Sequence, residues 1–103
     1  MKIIHTYIQT GNSGPLTKNL FYLMSLSLLL AKRHYGYVVL YTNKEVGDIV
    51  KKIGLPYDEI NTELLEGVNV KTFSIPKLIV YSNQNEPYIH IDLDTFIFKK
   101  LFF

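Results

Sequence analysis

Short β-branched runs alternate with helical stretches along this chain: Ile3 to Ile8, then Leu16 to His34, then Tyr37 to Tyr41, and onward in the same manner. Parallel neighbouring strands need a long crossover between them, and an intervening helix supplies one. The alternation therefore predicts βαβ units around a parallel sheet with helices on both faces, an α/β fold.

The segments follow in order. The first strand runs into Gln9-Thr-Gly-Asn-Ser-Gly-Pro15, where Gly11, Gly14 and Pro15 break regular structure and give a loop. The helix expected from about Leu16 to His34 is apolar nearly all round. It closes on Lys32, Arg33 and His34, where the macrodipole favours cations, with Gly36 as the stop. Thr42-Asn-Lys-Glu45 has capping-box spacing, so a second helix begins there, turns Val46, Ile49, Val50 and Ile53 inward and ends at Gly54. A short third strand is expected over Tyr57 to Ile60, then a loop with one helical turn from Asn61 to Thr72. Ser74 and Pro76 open a third helix that dies in Asn83-Gln-Asn-Glu-Pro87. The last strand, Tyr88-Ile-His-Ile-Asp-Leu-Asp94, is expected beside the first.

Composition narrows the function classes. At 103 residues, with 48% apolar and 19% charged, the chain is expected to form one folded domain spanning residues 1–103. Eleven Lys/Arg against nine Asp/Glu, with no more than two basic residues in a row, lack the footprint of a nucleic-acid binder. No cysteine is present, so no disulfide, zinc-thiolate site or thiol nucleophile exists, and a reducing, cytoplasmic setting is the default expectation. The longest apolar run, Leu20 to Ala31, is interrupted by two serines and is shorter than the about 20 residues a spanning helix needs. A buried helix is expected there rather than one in or on a membrane.

The chemistry concentrates in the last strand. Side chains alternate faces, so His90, Asp92 and Asp94 point one way and Ile89, Ile91 and Leu93 the other. Two carboxylates sharing one face repel each other unless a cation neutralises them. Carboxylate oxygens suit Mg²⁺ or Mn²⁺, and ligands of open parallel sheets bind beyond the carboxyl ends of the strands, where this pair lies. The alternative is structural: Asp94 capping a turn at Thr95, and Asp92 paired with a lysine. His90, further in, is expected to be a hydrogen-bonded core histidine; His5 and His34 carry no functional expectation. The loop from Gly11 to Gly14 has the spacing of neither the dinucleotide fingerprint nor the P-loop.

Ile75-Pro-Lys-Leu-Ile-Val-Tyr-Ser82, followed by Glu86-Pro-Tyr-Ile-His-Ile-Asp-Leu-Asp-Thr-Phe-Ile-Phe98, resembles the nucleotide-sugar glycosyltransferases of the GT-A fold, in which a helix with a lysine near its start precedes a strand ending in Asp-x-Asp. The order of the earlier segments is similar to the nucleotide-binding half of that fold. The resemblance implies a Rossmann-like three-layer sandwich with a mainly parallel sheet. It implies a nucleoside-diphosphate sugar held through Mn²⁺ or Mg²⁺, with Asp94 on the metal, Asp92 facing the ribose and the metal shell, and Lys77 approaching the phosphates. Gln9 and Thr10 would lie by the nucleoside. Asn43 stands where relatives often carry an acidic residue. The chain is expected to stop before an acceptor-binding half, which leaves the catalytic residues unassigned.

Two other classes stay open. A phosphotransferase of the haloacid-dehalogenase type also uses a strand ending in Asp-x-Asp, but that family prefers its threonine two places after the second aspartate, whereas Thr95 is adjacent, and here the motif sits on a late strand. A non-catalytic fragment would use its apolar end: Phe96, Phe98, Leu101, Phe102 and Phe103 lack an evident cover, so self-association through this segment is expected.

Overall fold

The computed structural model describes residues 2–8, 18–66 and 74–91. Its elements are β1 (Lys2–Tyr7), α1 (Lys18–Tyr35), β2 (Val38–Thr42), α2 (Lys44–Ile53), β3 (Glu59–Asn61), α3 (Ser74–Ser82) and β4 (Tyr88–His90). The four strands form one sheet in the order β3-β2-β1-β4, and every pairing is parallel. β1 and β4 are neighbours, with Ile4 opposite His90, and the Ile91 N–H donates to the Ile4 carbonyl at 3.0 Å, carrying the ladder one residue past β4.

β1 and β2 lie inside the sheet and are covered on both faces, which is why β2 is buried at every position and the buried stretch of β1, Ile3 to His5, does not alternate with exposed residues. Ile3, Val38, Leu40 and Ile91 pack on one face against Met24, Leu28 and Ala31 of α1 and Val46 and Val50 of α2. Ile4, Val39 and Tyr41 pack on the other against Val80 of α3 and Leu65 of the turn after β3. The result is a three-layer α/β sandwich. α1 and α2 share a layer because β1, β2 and β3 are laid down in one direction; the chain then crosses to the far side of β1, and α3 falls on the opposite face, as right-handed crossovers require.

Several expectations shift at this level. The N-cap of α2 is Asn43, not Thr42: Thr42 is the buried last residue of β2, and its hydroxyl donates to Asn43 Oδ1 at 3.4 Å. Ile53 does not turn inward but is 48% exposed on the last turn of α2, just before the Gly54 stop (φ +84°). β3 begins two residues later than expected, since Tyr57 is taken by a contact beneath the sheet and Asp58 by the start of β2. The Val38 N–H donates to Asp58 Oδ2 at 2.7 Å, the Asp58 N–H returns a bond to the Val38 carbonyl at 2.9 Å, and Lys32 Nζ sits 3.0 and 3.1 Å from the two carboxylate oxygens. In the turn that follows β3, Asn61 Oδ1 accepts from the Glu63 and Leu64 N–H groups at 3.1 and 3.0 Å. The expected continuation of the last strand to Asp94 lies outside the described residues.

Candidate functional site

The order β3-β2-β1-β4 reverses direction between β1 and β4. At such a switch point the loops leaving adjacent strands part to opposite faces and open a crevice at the carboxyl ends. Ile8 leaves β1 there and Ile91 leaves β4. The sequence-predicted residues Gln9, Thr10, Asp92 and Asp94 follow these two exits directly in the chain, and all four lie outside the described residues.

Two of the expected residues are described. Asn43 stands immediately after β2, the neighbour of β1, and is half-buried with extended backbone (φ −83°, ψ 166°). Its carbonyl accepts the Gly47 N–H at 2.9 Å, while its side-chain amide makes no capping bond to the helix it opens. Lys77 is half-buried on the first turn of α3, following the buried Pro76. α3 is entered from the carboxyl end of β3 and left toward the start of β4, so it runs antiparallel to the strands and its first turn lies toward the carboxyl end of the sheet.

The exits of β1 and β4 are tied together by a polar lock. His90 Nε2 lies 2.9 Å from Thr6 Oγ1, and the edge of His90 meets Tyr81 of α3 with ring centroids 5.1 Å apart at 82°. Tyr81 also stacks on Tyr88 at 6.0 Å. His90 is thus hydrogen-bonded as expected from its inward position, though half-buried on the α3 side of the sheet rather than enclosed in the core. Among the described residues no group of three or more His, Asp and Glu side chains is placed to hold a metal ion.

The other histidine of the sheet faces the opposite layer and is sealed. His5 is fully buried, with Nδ1 2.7 Å from the Tyr57 hydroxyl and Nε2 3.0 Å from Ser27 Oγ, so it ties β1 to α1 and to the approach of β3. Burial pushes the Tyr57 phenol well above its usual range and that of Tyr7 upward as well, so both remain neutral at ordinary pH.

The family model of a family of unknown function (DUF6734) matches residues 1–102. The chain belongs to that family. No curated protein and no solved structure matches it. The family match spans the whole sheet together with Gln9, Thr10, Asn43, Lys77, Asp92 and Asp94, so the reversal of strand order lies within the matched unit.

Sequence reasoning did not single out Thr6 and Tyr81. A signal for Thr6 existed: it shares a sheet face with Ile4, and pairing β1 beside β4 brings that face level with His90. Nothing comparable marked Tyr81, whose meeting with His90 depends on which strand α3 covers. A polar groove of about 480 Å³, lined by Lys2, Tyr41, Glu59, Asn61, Gln84 and Glu86, lies on the α3 side between β3 and the turn that enters β4. Its wall is partly self-satisfied, with Gln84 Nε2 donating to the Tyr41 hydroxyl at 3.1 Å and Lys2 paired to Glu86 at 3.3 Å.

Proposed function

We propose that this chain is a glycosyltransferase-like nucleotide-sugar-binding domain that takes a nucleoside-diphosphate sugar at the carboxyl end of its sheet, with a divalent cation held by Asp92 and Asp94. The observation that carries this reading is the reversal of strand order between β1 and β4, because the chain's Asp-x-Asp pair follows β4 directly and Gln9-Thr10 follows β1. What is proposed is binding, not turnover.

The donor set suits such a cation. Mg²⁺ and Mn²⁺ accept one or two carboxylates and leave coordination positions for water and phosphate oxygens. Bound there, the cation supplies charge neutralisation for a diphosphate and Lewis acidity toward it as a leaving group. Lys77, on the first turn of α3, would add a cationic contact to the phosphates from the α3 side. Gln9 and Thr10 would hold the nucleoside beside β1, and Asn43, after β2, would offer its amide to the same ligand. Thr6 and His90 would keep the exits of β1 and β4 at a constant spacing, so the two halves of the site do not drift apart.

The test is a thermal-shift matrix of uridine and guanosine diphosphates with Mn²⁺, Mg²⁺ or chelator. A ligand at 100 times its dissociation constant stabilises the folded chain by about 2.7 kcal/mol, and the shift is expected only with metal present. Asp94→Asn keeps the shape but loses the charge that holds the cation, so it should abolish the shift and leave the metal-free melting temperature unchanged or higher. Equal shifts with chelator, or an unchanged response in Asp94→Asn, would refute the reading.

A further inference from the structure

The outward face of α1 is not that of a solvated helix. Met24, Ser27, Leu28 and Ala31 are fully buried toward the sheet, while the opposite side presents Tyr22, Leu26 and Leu29, which are 56%, 48% and 54% exposed. These three form an i, i+4, i+7 stripe that continues to the exposed Arg33, and Leu23, 38% exposed, flanks it. The sequence predicts a buried helix here; in the fold one side of it packs and a leucine ridge is left outside.

Charge is distributed to match. α1 contains no Asp or Glu. Residues 18–53, which hold both helices of this layer, carry six Lys/Arg against two Asp/Glu, whereas residues 54–91 carry two Lys against five Asp/Glu. The small net charge of +2 therefore conceals a cationic layer and an acidic remainder. Arg33, Lys51 and Lys52 are exposed on the layer that carries the ridge, whereas Lys32 is engaged by Asp58 at 3.0 Å.

We propose that the α1–α2 layer docks on an anionic lipid surface, with Tyr22, Leu26 and Leu29 entering the acyl boundary and Arg33, Lys51 and Lys52 meeting the headgroups. An amphipathic element with apolar residues toward the bilayer and basic residues at its margin binds in the plane of the interface by these two terms together. No helix among the described residues is long and apolar enough to cross a membrane, so the contact is peripheral. A second copy is disfavoured as the occupant, because α1 carries no acidic residue with which the exposed Arg33 of another copy's α1 could pair. A fluid bilayer, moreover, deforms to receive a ridge, where a protein would have to supply a matching groove.

The experiment is co-sedimentation of the full chain with vesicles of phosphatidylcholine alone and of phosphatidylcholine mixed with phosphatidylglycerol. The chain should pellet with the mixed vesicles and not with the neutral ones, and should be released in 1 M salt, where the screening length falls to about 3 Å. Leu26→Ser/Leu29→Ser should lose pelleting while keeping the wild-type melting temperature. Lys51→Gln/Lys52→Gln should weaken it by about fivefold for each charge removed, and it decides the matter if the serine variant proves unstable. No pelleting, or equal pelleting on both vesicles, overturns the proposal. Self-association in sedimentation that the serine variant abolishes, without vesicle binding, overturns it in favour of a second copy.

Discussion

Gly47 sits in the middle of α2, where glycine is unfavourable, and replacing it by alanine sets two known effects against each other. Alanine gains about 1 kcal/mol of intrinsic helix stability over glycine. The structure opposes that gain: a Cβ built at Gly47 would stand 2.4 Å from Thr62 Cγ2, with Thr42 Cγ2 at 3.5 Å and Ile60 Cγ2 at 3.7 Å. Carbon atoms in contact rest at about 3.5–4.0 Å, so more than an ångström must be found at Thr62. Thr62 is poorly able to give it. It is stiff at χ1 as a β-branched residue, and it follows Asn61, whose side chain pins the turn after β3. Overpacking costs about 1–3 kcal/mol and a displacement this large belongs at the upper end, about 2–3 kcal/mol, so Gly47→Ala should be destabilised by a net of about 1–2 kcal/mol. For a chain of this size that is a fall of roughly 4–15 °C in melting temperature. Thr62→Ala removes the opposing methyl, so in that background Gly47→Ala should turn neutral or stabilising, a coupling that urea unfolding of the four-member cycle measures directly. If Gly47→Ala is as stable as the parent, or if its penalty persists unchanged beside Thr62→Ala, close approach of α2 to β3 is not why glycine occupies this position.

Three further outcomes are expected. Asp58→Ala leaves the Val38 N–H without its acceptor and should cost about 1–3 kcal/mol in urea unfolding, with Lys32→Ala costing less because that pair is partly exposed. Burial alone would raise the Asp58 carboxyl, but the Val38 N–H and the Lys32 ammonium outweigh it and hold the group below the usual carboxylate range. Its charge-dependent contribution should therefore be complete above about pH 5 and fade as pH falls through the lowered value; a gap between parent and Asp58→Asn that widens in acid would contradict this. Tyr57→Phe leaves the buried His5 Nδ1 without its 2.7 Å partner and should cost about 1–3 kcal/mol, measured by thermal unfolding, whereas His34→Gln on the surface layer should change little.

The order of strands and helices was legible in the residues because each element carries its own local signal. Apolar runs of strand length, glycines at the stops of α1 and α2 (Gly36 and Gly54, φ +82° and +84°), and Pro76 two residues inside α3 are all decided within a turn of chain. The pairing of β1 with β4 was also expected, since handed crossovers leave few alternatives. The candidate site was legible in part. Alternation in the sequence predicts Asp92 and Asp94 on one face, and the proposal that they hold a metal rests on that pattern together with the reversal of strand order before them.

What only the tertiary structure decided are choices between groups equally able to play a part. Thr42 and Asn43 both suit an N-cap; burial of Thr42 in β2 leaves the position to Asn43. His5 and His90 both sit on strands, but one faces α1 and is enclosed by Ser27 and Tyr57, while the other faces α3 and joins Thr6 at the exit of the sheet. α1 is apolar nearly all round, and no periodicity within it says which side packs. The sheet beneath it can cover only one face, so Met24, Leu28 and Ala31 are buried, and Tyr22, Leu26 and Leu29 are left outside because no further layer among the described residues reaches them.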